Sequence, residues 1–411
     1  MTDPMREEST ELLARLEESL FLLHDWLRRN GWAGYDPYDF QHWRSRFPSV
    51  ICNHAPWRWP LSLVARIEQR HPGGIRRIFR FPKLIYPEAM GLFAESYAVM
   101  HELYGDPAYI SLAKECAHWL LENSSLKSSG LGWGLPFDWN SIFLVPAGTM
   151  CGSTTAVCAA GFWKLFLVTG DNTFLDACVR IADAFIQELN IDRIDDRTVC
   201  FSYTPLDRWH IHNANLTTAA FLALVGARKG RADFLELASQ AGRYALINQR
   251  DDGSLPYRAL DQVARATNDH YHCGYEMRAL HVLGLALGDP AYLDAVRRYY
   301  VFYESRFLGD DGAPWRNPND PDIVDIHGCS EALLLHADLL DFIPGVRRRL
   351  IASARWTLEN MQAPDGSFLY RILNRTRREV HLNIPFIRWG QARMMRGLTA
   401  AIASLKQSGG T

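Results

Sequence analysis

Apolar and polar positions follow a helical period along this chain. Uniformly apolar stretches alternate with stretches whose charges fall on one side, and a glycine marks most of the changeovers. Four stretches begin alike: "GDPAYISLAKECAHWLL" at 105, "GDNTFLDACVRIADAFI" at 170, "GRADFLELASQAGRYAL" at 230 and "GDPAYLDAVRRYYVFY" at 288. Their spacings are 65, 60 and 58 residues, and a fainter copy follows Gly345. In each, glycine suits the left-handed position that closes an apolar helix; in three copies Asp then suits the cap of the next, and in two Pro suits its first turn. The register is helix, tight turn, helix.

The pattern predicts six buried helices near 84–104, 147–169, 210–229, 270–287, 327–342 and 385–405. Six amphipathic helices are expected near 11–29, 106–123, 171–190, 231–249, 289–307 and 346–362, with the largest insertion at about 41–82. Three of the amphipathic helices run into near-copies of one turn, "DDGSLPYR", "DDGAPWRN" and "PDGSFLYR". Repeats of this period build solenoids or rings. An open solenoid needs polar end caps, yet the last helix, "IPFIRWGQARMMRGLTAAIASL", is as apolar as the others. The expectation is therefore an all-α (α/α)6 toroid over residues 1–411 as one domain, apolar helices inside and amphipathic ones outside. No strand alternation of any length is visible.

In such a ring the long connections all emerge beside the N-termini of the inner helices. There the chain reads "HIHNANL", "NDHYHCGYEM" and "VDIHGCSEAL". His212, His272 and His327 lie 60 and 55 residues apart, matching the repeat, so they are expected at one mouth. Arg388, Trp389 and Gln391 enter from the last inner helix. Polar residues recurring in register at one end of an apolar barrel suit a ligand cavity. Capping of free helix N–H groups alone would also explain Asn, Asp and His at these turns.

Composition narrows the partners. Net charge is -2, which gives no reason to expect nucleic acid, although "RHPGGIRRIFRFPK" (70–83) is locally basic and most simply a solvated face. Aromatics reach 12%, with 13 Trp and 16 Tyr, and their flat apolar faces suit a carbohydrate cleft as well as a large core. Eight cysteines without a C-x-x-C pair favour buried free thiols in a reducing compartment. The acidic, charge-interrupted start lacks the features of a signal peptide, and no apolar run reaches the ~18 residues of a membrane span. A soluble cytoplasmic protein is expected.

Several motifs resemble those of a bacterial family from exopolysaccharide-biosynthesis clusters, often called VpsJ-like: "GYDPYD" (34–39), "HNANL" (212–216), "DHYHCGY" (269–275), "VDIH" (324–327) and "IPFIRWGQARMM" (384–395). The resemblance runs from about Trp32 to Leu405. Asn213, Asn215, Asp269, His272, Gly274, Asp325, His327, Arg388, Trp389 and Gln391 fall on the family's positions, whereas His270, Cys273 and Arg393 depart from them. It implies a six-hairpin fold and a link to polysaccharide. More distantly, the layout is similar to (α/α)6 alginate lyases and to the helical domain of glucuronyl 5-epimerases.

The chemistry ranked first is proton abstraction from carbon 5 of a uronate residue, giving epimerisation or β-elimination. It requires a base, an acid and a partner for the carboxylate. Tyr271, His272 or His212 are candidates for base and acid, with Asp269 and Asp325 orienting histidines and His327 beside them. Asn213 and Arg388 suit the carboxylate, Arg388 through a bidentate fork. Asn215, Trp389, Gln391, Tyr203, Tyr257, Tyr35, Asp36 and Trp315 complete the substrate-binding candidates. Hydrolysis by a carboxylate pair is the alternative, drawing on Asp269, Glu276, Asp325, Glu331, Asp36 and Asp39. A non-catalytic glycan binder ranks below both. The H-x-H pairs at 210 and 270 make poor helical chelates, so neither a metal nor a cofactor is expected.

Overall fold

The computed structural model describes residues 4–40, 63–64, 67–68, 70–126, 130–140, 143–259, 262 and 267–409. Of the expected insertion, residues 41–62 lie outside them, and so does Cys52. Among the described residues the helices are α1 (Pro4–Asn30), α2 (Pro72–Ile78), α3 (Pro87–Tyr104), α4 (Pro107–Glu122), α5 (Gly152–Thr169), α6 (Asn172–Glu188) and α7 (His212–Lys229). They continue with α8 (Ala232–Asn248), α9 (His270–Leu287), α10 (Pro290–Phe307), α11 (Ile326–Asp338), α12 (Val346–Met361) and α13 (Arg393–Gly409), the last preceded by a π-helical turn, Ile387–Ala392.

Helices α3, α5, α7, α9, α11 and α13 each pack on the next, and α13 returns to α3. The remaining long helices lie outside, α1 against α12 and α13. The fold is thus an (α/α)6 toroid, with helix bounds within a few residues of those expected. Gly105, Gly170, Gly230 and Gly288 all cap inner helices in the left-handed conformation. Asp106, Asp171 and Asp289 then accept a backbone N–H of the next helix, at 2.8, 2.9 and 3.0 Å. None of the described helices is long and apolar enough to cross a membrane.

The repeated Asp-Gly turn holds the outer ring together. Gly253, Gly312 and Gly366 have φ of 85, 89 and 93° and lie against the backbone of the next outer helix. An added Cβ would meet Arg298 O at 2.3 Å, Ala352 C at 2.5 Å and Leu22 O at 2.4 Å respectively. Only glycine fits both the φ and the space. The third turn closes the ring, since it reaches α1, where Trp26 and Arg29 also hydrogen-bond Asp365.

The long connections carry strands that the sequence did not announce. Two hairpins, β1 (Trp139–Asn140) with β2 (Leu144–Val145) and β3 (Ile191–Asp195) with β4 (Thr198–Phe201), precede α5 and α7. β5 (Trp315–Asn317), β6 (Asp320–Asp325), β7 (Arg371–Leu373) and β8 (Val380–Leu382) form an antiparallel sheet in that order. Runs of two to six residues are too short to show a period of two. Their effect is positional: β6 pairs with β7 and so ties two neighbouring connections over the mouth of the ring.

Candidate active site

The inner helices leave a cavity of about 630 Å³ along the ring axis. Its wall includes Asn213, Tyr203, Tyr257, Tyr271, His272, His327, Arg388 and Trp389 among the expected residues. It continues past them to Leu224, eleven residues further along α7, so it is about 16 Å deep at 1.5 Å per residue.

His272 is held by the aspartate that starts its helix. Asp269 caps α9: one carboxylate oxygen accepts the His272 N–H at 3.0 Å, the other accepts the ring Nδ1–H at 2.8 Å. Burial raises the Asp269 carboxyl, but the contact with His272 outweighs it and holds the group below the usual range. An ionised Asp269 assigns the proton to Nδ1 and leaves Nε2 with its lone pair. The rings of Tyr257 and Tyr271 each lie 4.4 Å from the imidazole. Burial pushes both phenols well up, so they remain protonated donors.

His327 stands on the other side of Tyr271. It stacks on that ring at 4.2 Å and 11°, meets Trp389 edge-on at 4.4 Å, and hydrogen-bonds the Tyr275 hydroxyl through Nε2. Burial, with the charge of Arg388 adding to it, keeps it well below the usual histidine range, so the ring is neutral. Asp325 lies off the cavity wall. One of its oxygens accepts the His327 N–H at 3.0 Å and Trp389 Nε1–H at 2.8 Å, and the other takes the Arg371 guanidinium. It fixes backbone and indole, with no oxygen left over for an imidazole ring.

Several expected binding residues prove to be engaged elsewhere. Arg388 lines the cavity, but its fork already holds Asp36 at 2.7 and 2.9 Å, and its third nitrogen holds Glu88 at 3.0 Å. It is therefore not the free carboxylate reader that the motif suggests, and Asp36 is its counter-ion. Asn215 ties Phe201 N–H and Ala241 C=O, both at 2.9 Å, and Gln391 ties the two backbone groups of Phe368 at 2.9 Å. Both amides anchor connections behind the wall. Tyr35 and Trp315 pack beside the core, away from the wall.

The two H-x-H turns point apart. His212 stacks on Tyr244 at 5.3 Å, away from the cavity, and among the described residues neither of its ring nitrogens has a partner. Burial depresses its pKa to about 3, so it is a neutral core ring and not an acid or base facing the cavity. His210 bridges Asp192 and the Tyr244 hydroxyl, both at 3.1 Å, and His270 hydrogen-bonds Tyr303 at 2.8 Å. Among the described residues, no three His, Cys, Asp or Glu groups stand where they can share an ion.

The carboxylates expected for hydrolysis are likewise held. Glu276 is buried against the Tyr299 hydroxyl at 2.5 Å, and Glu331 pairs with Arg278 at 3.3 Å. Asp39 pairs with Arg76 at 2.6 Å; in the basic run 70–83, Arg70, Arg77, Arg80 and Lys83 are exposed as a solvated face requires, and Arg76 departs from it, fully buried and also meeting Glu68.

Three wall residues escaped the sequence reading. Tyr38 stacks on Trp139 at 5.8 Å and 24°, and Trp139 meets Tyr203 edge-on at 6.2 Å, which makes an aromatic flank on the cavity wall. Tyr275 closes the set through His327. Tyr38 lies in the "GYDPYD" motif, three residues past Tyr35, and nothing in the sequence separates the two. Asn213 Oδ1 is buried on the wall without a partner among the described residues.

No protein-family model matches the chain, so its likeness to the VpsJ-like family rests on the quoted motifs. No curated protein matches it. Solved structures do. Cellobiose 2-epimerase from Bacillus thermoamylovorans aligns at TM-score 0.57 and 12% identity, over 77% of this chain and 87% of that one. D-mannose isomerase aligns at 0.58 and 9%, over 79% and 87%. An unsaturated glucuronyl hydrolase specific for heparin aligns at 0.58 and 10%, over 98% of both chains. At such identities the likeness shows the shared six-hairpin fold.

Proposed function

We propose that this protein is a carbohydrate-active enzyme that moves a proton at carbon 5 of a uronate residue in a glycan, as an epimerase or a lyase. The observation that carries this reading is the Asp269–His272 pair on a cavity wall between two protonated tyrosines, with no partner for Nε2 among the described residues. His272 takes the proton through Nε2, and Asp269 stabilises the imidazolium that forms. Tyr257 or Tyr271 donates a proton to the opposite face of the carbon or to the leaving oxygen. Asn213 and the aromatic flank of Tyr38, Trp139 and Tyr203 bind the sugar rings.

Two further points support it. The shared motifs link the chain to polysaccharide, and the fold is one on which a cellobiose 2-epimerase and a D-mannose isomerase are built. Hydrolysis has less support, because the acids on the wall, Glu88, Glu95 and Asp338, are all paired with arginines. The test is incubation with uronate oligosaccharides in deuterated water. Deuterium at carbon 5, or absorbance of an unsaturated sugar, supports the proposal. New reducing ends with neither would replace it by hydrolysis.

A further inference from the structure

Four arginines on the cavity wall, Arg278, Arg388, Arg393 and Arg396, and Arg371 behind it all hold a carboxylate of the protein. Arg316 does not. Among the described residues it has no ion pair and no hydrogen bond, and its Nε is buried without a partner. Leaving a guanidinium N–H dry and unbonded is unfavourable.

Its place in the fold gives the reason. Arg316 lies on β5, which pairs with β6, and β6 leads into the Asp325 cap of α11 and His327. β5 also packs on α9, whose first turn carries the Asp269–His272 pair. Trp315 packs beside the core, and a register shift between Trp315 and Asn317 leaves Arg316 without a partner in the β5–β6 ladder. The charge of Arg316 is felt by Asp269, Tyr271, Tyr38 and Tyr370, of which Tyr271 and Tyr38 line the cavity.

We propose that Arg316 reads the charge of the substrate, forking onto the carboxylate of a uronate residue at the mouth of the cavity beside His272. This rests on the reading of the cavity as a sugar site and assigns the role that Arg388 cannot fill. A carboxylate accepts two parallel N–H bonds from a guanidinium, and its negative charge is what the adjacent carbon must have neutralised before it releases a proton.

Calorimetric titration with tetrasaccharides of glucuronate, mannuronate and galacturonate, against their neutral counterparts, tests this without turnover. At least one uronate is expected to bind about tenfold or more tightly than its neutral partner, with the preference shrinking as salt rises. Arg316→Gln removes that preference, Arg316→Lys keeps part of it, and Arg306→Gln, which deletes an exposed charge, leaves it whole. Uronates that bind no better than neutral sugars, or a preference that survives both Arg316 variants, overturn the proposal. Arg316-dependent uronate binding without exchange of the carbon-5 proton sinks the proton-transfer reading and leaves this assignment in place. Exchange at unchanged KM in Arg316→Gln does the reverse.

Discussion

The turns at 210–215 and 269–275 look alike in sequence, with an H-x-H and polar neighbours before an apolar helix, but they do different work. In the first, His210, His212 and Asn215 all point behind the wall, and only Asn213 lines the cavity. In the second, His270 points behind and His272 lines the cavity, oriented by Asp269. Residues two apart on a helix face different ways, so at most one ring of each H-x-H can line the cavity. The functional difference comes from the cap. Isoleucine at 211 offers no side-chain acceptor, whereas Asp269 caps its helix and binds its histidine with the same carboxylate.

The largest effects should separate the two histidines. His272→Ala is expected to lower the turnover rate by about 10²–10⁴-fold with little change in melting temperature. His212→Ala should do the opposite, destabilising by about 2–4 kcal/mol through the cavity it opens while leaving kcat near normal. Rates and thermal unfolding measured on both variants check this.

The two capping aspartates sharpen the comparison. Asp269→Asn keeps a cap but loses the acceptor that fixes His272, and turnover should fall about 10²-fold. Asp325→Asn leaves Arg371 largely buried and without its ion-pair partner, so the loss should appear in stability, about 3 kcal/mol by denaturant titration. A similar split is expected for the amides. Asn215→Ala strands buried backbone groups and should cost about 1–3 kcal/mol, whereas Asn213→Ala should raise KM with stability unchanged.

Acid should weaken the fold through the rings that face the core. His212, His270 and His336 are depressed by burial from 6.5 to about 3. Between those pH values the unfolded chain binds protons that the folded rings refuse, so stability is full above about 6.5 and falls as pH drops. Melting temperature measured from pH 7 to 4 should decline, and His212→Leu should flatten the slope by roughly one proton.

Much of the fold was legible because helix, turn and period repeat: the Gly-Asp-Pro junctions have a local cause and recur. The site was legible as a location and less so as roles. Register placed His212, His272 and His327 at one end, but it does not say that the His212 ring turns toward Tyr244. Arg388 has the right type for a carboxylate, and only the structure reveals Asp36 already in its fork, 352 residues away in sequence. The short strands were invisible to periodicity, and with them went Arg316.

A crystal structure of the Asp269→Asn protein with a bound uronate tetrasaccharide tests the central claim most directly. The account predicts a sugar ring between Tyr257, Tyr271 and Asn213, with carbon 5 about 3–3.5 Å from His272 Nε2. A sugar seated outside the cavity, or one that turns no carbon-bound hydrogen toward His272, would contradict it.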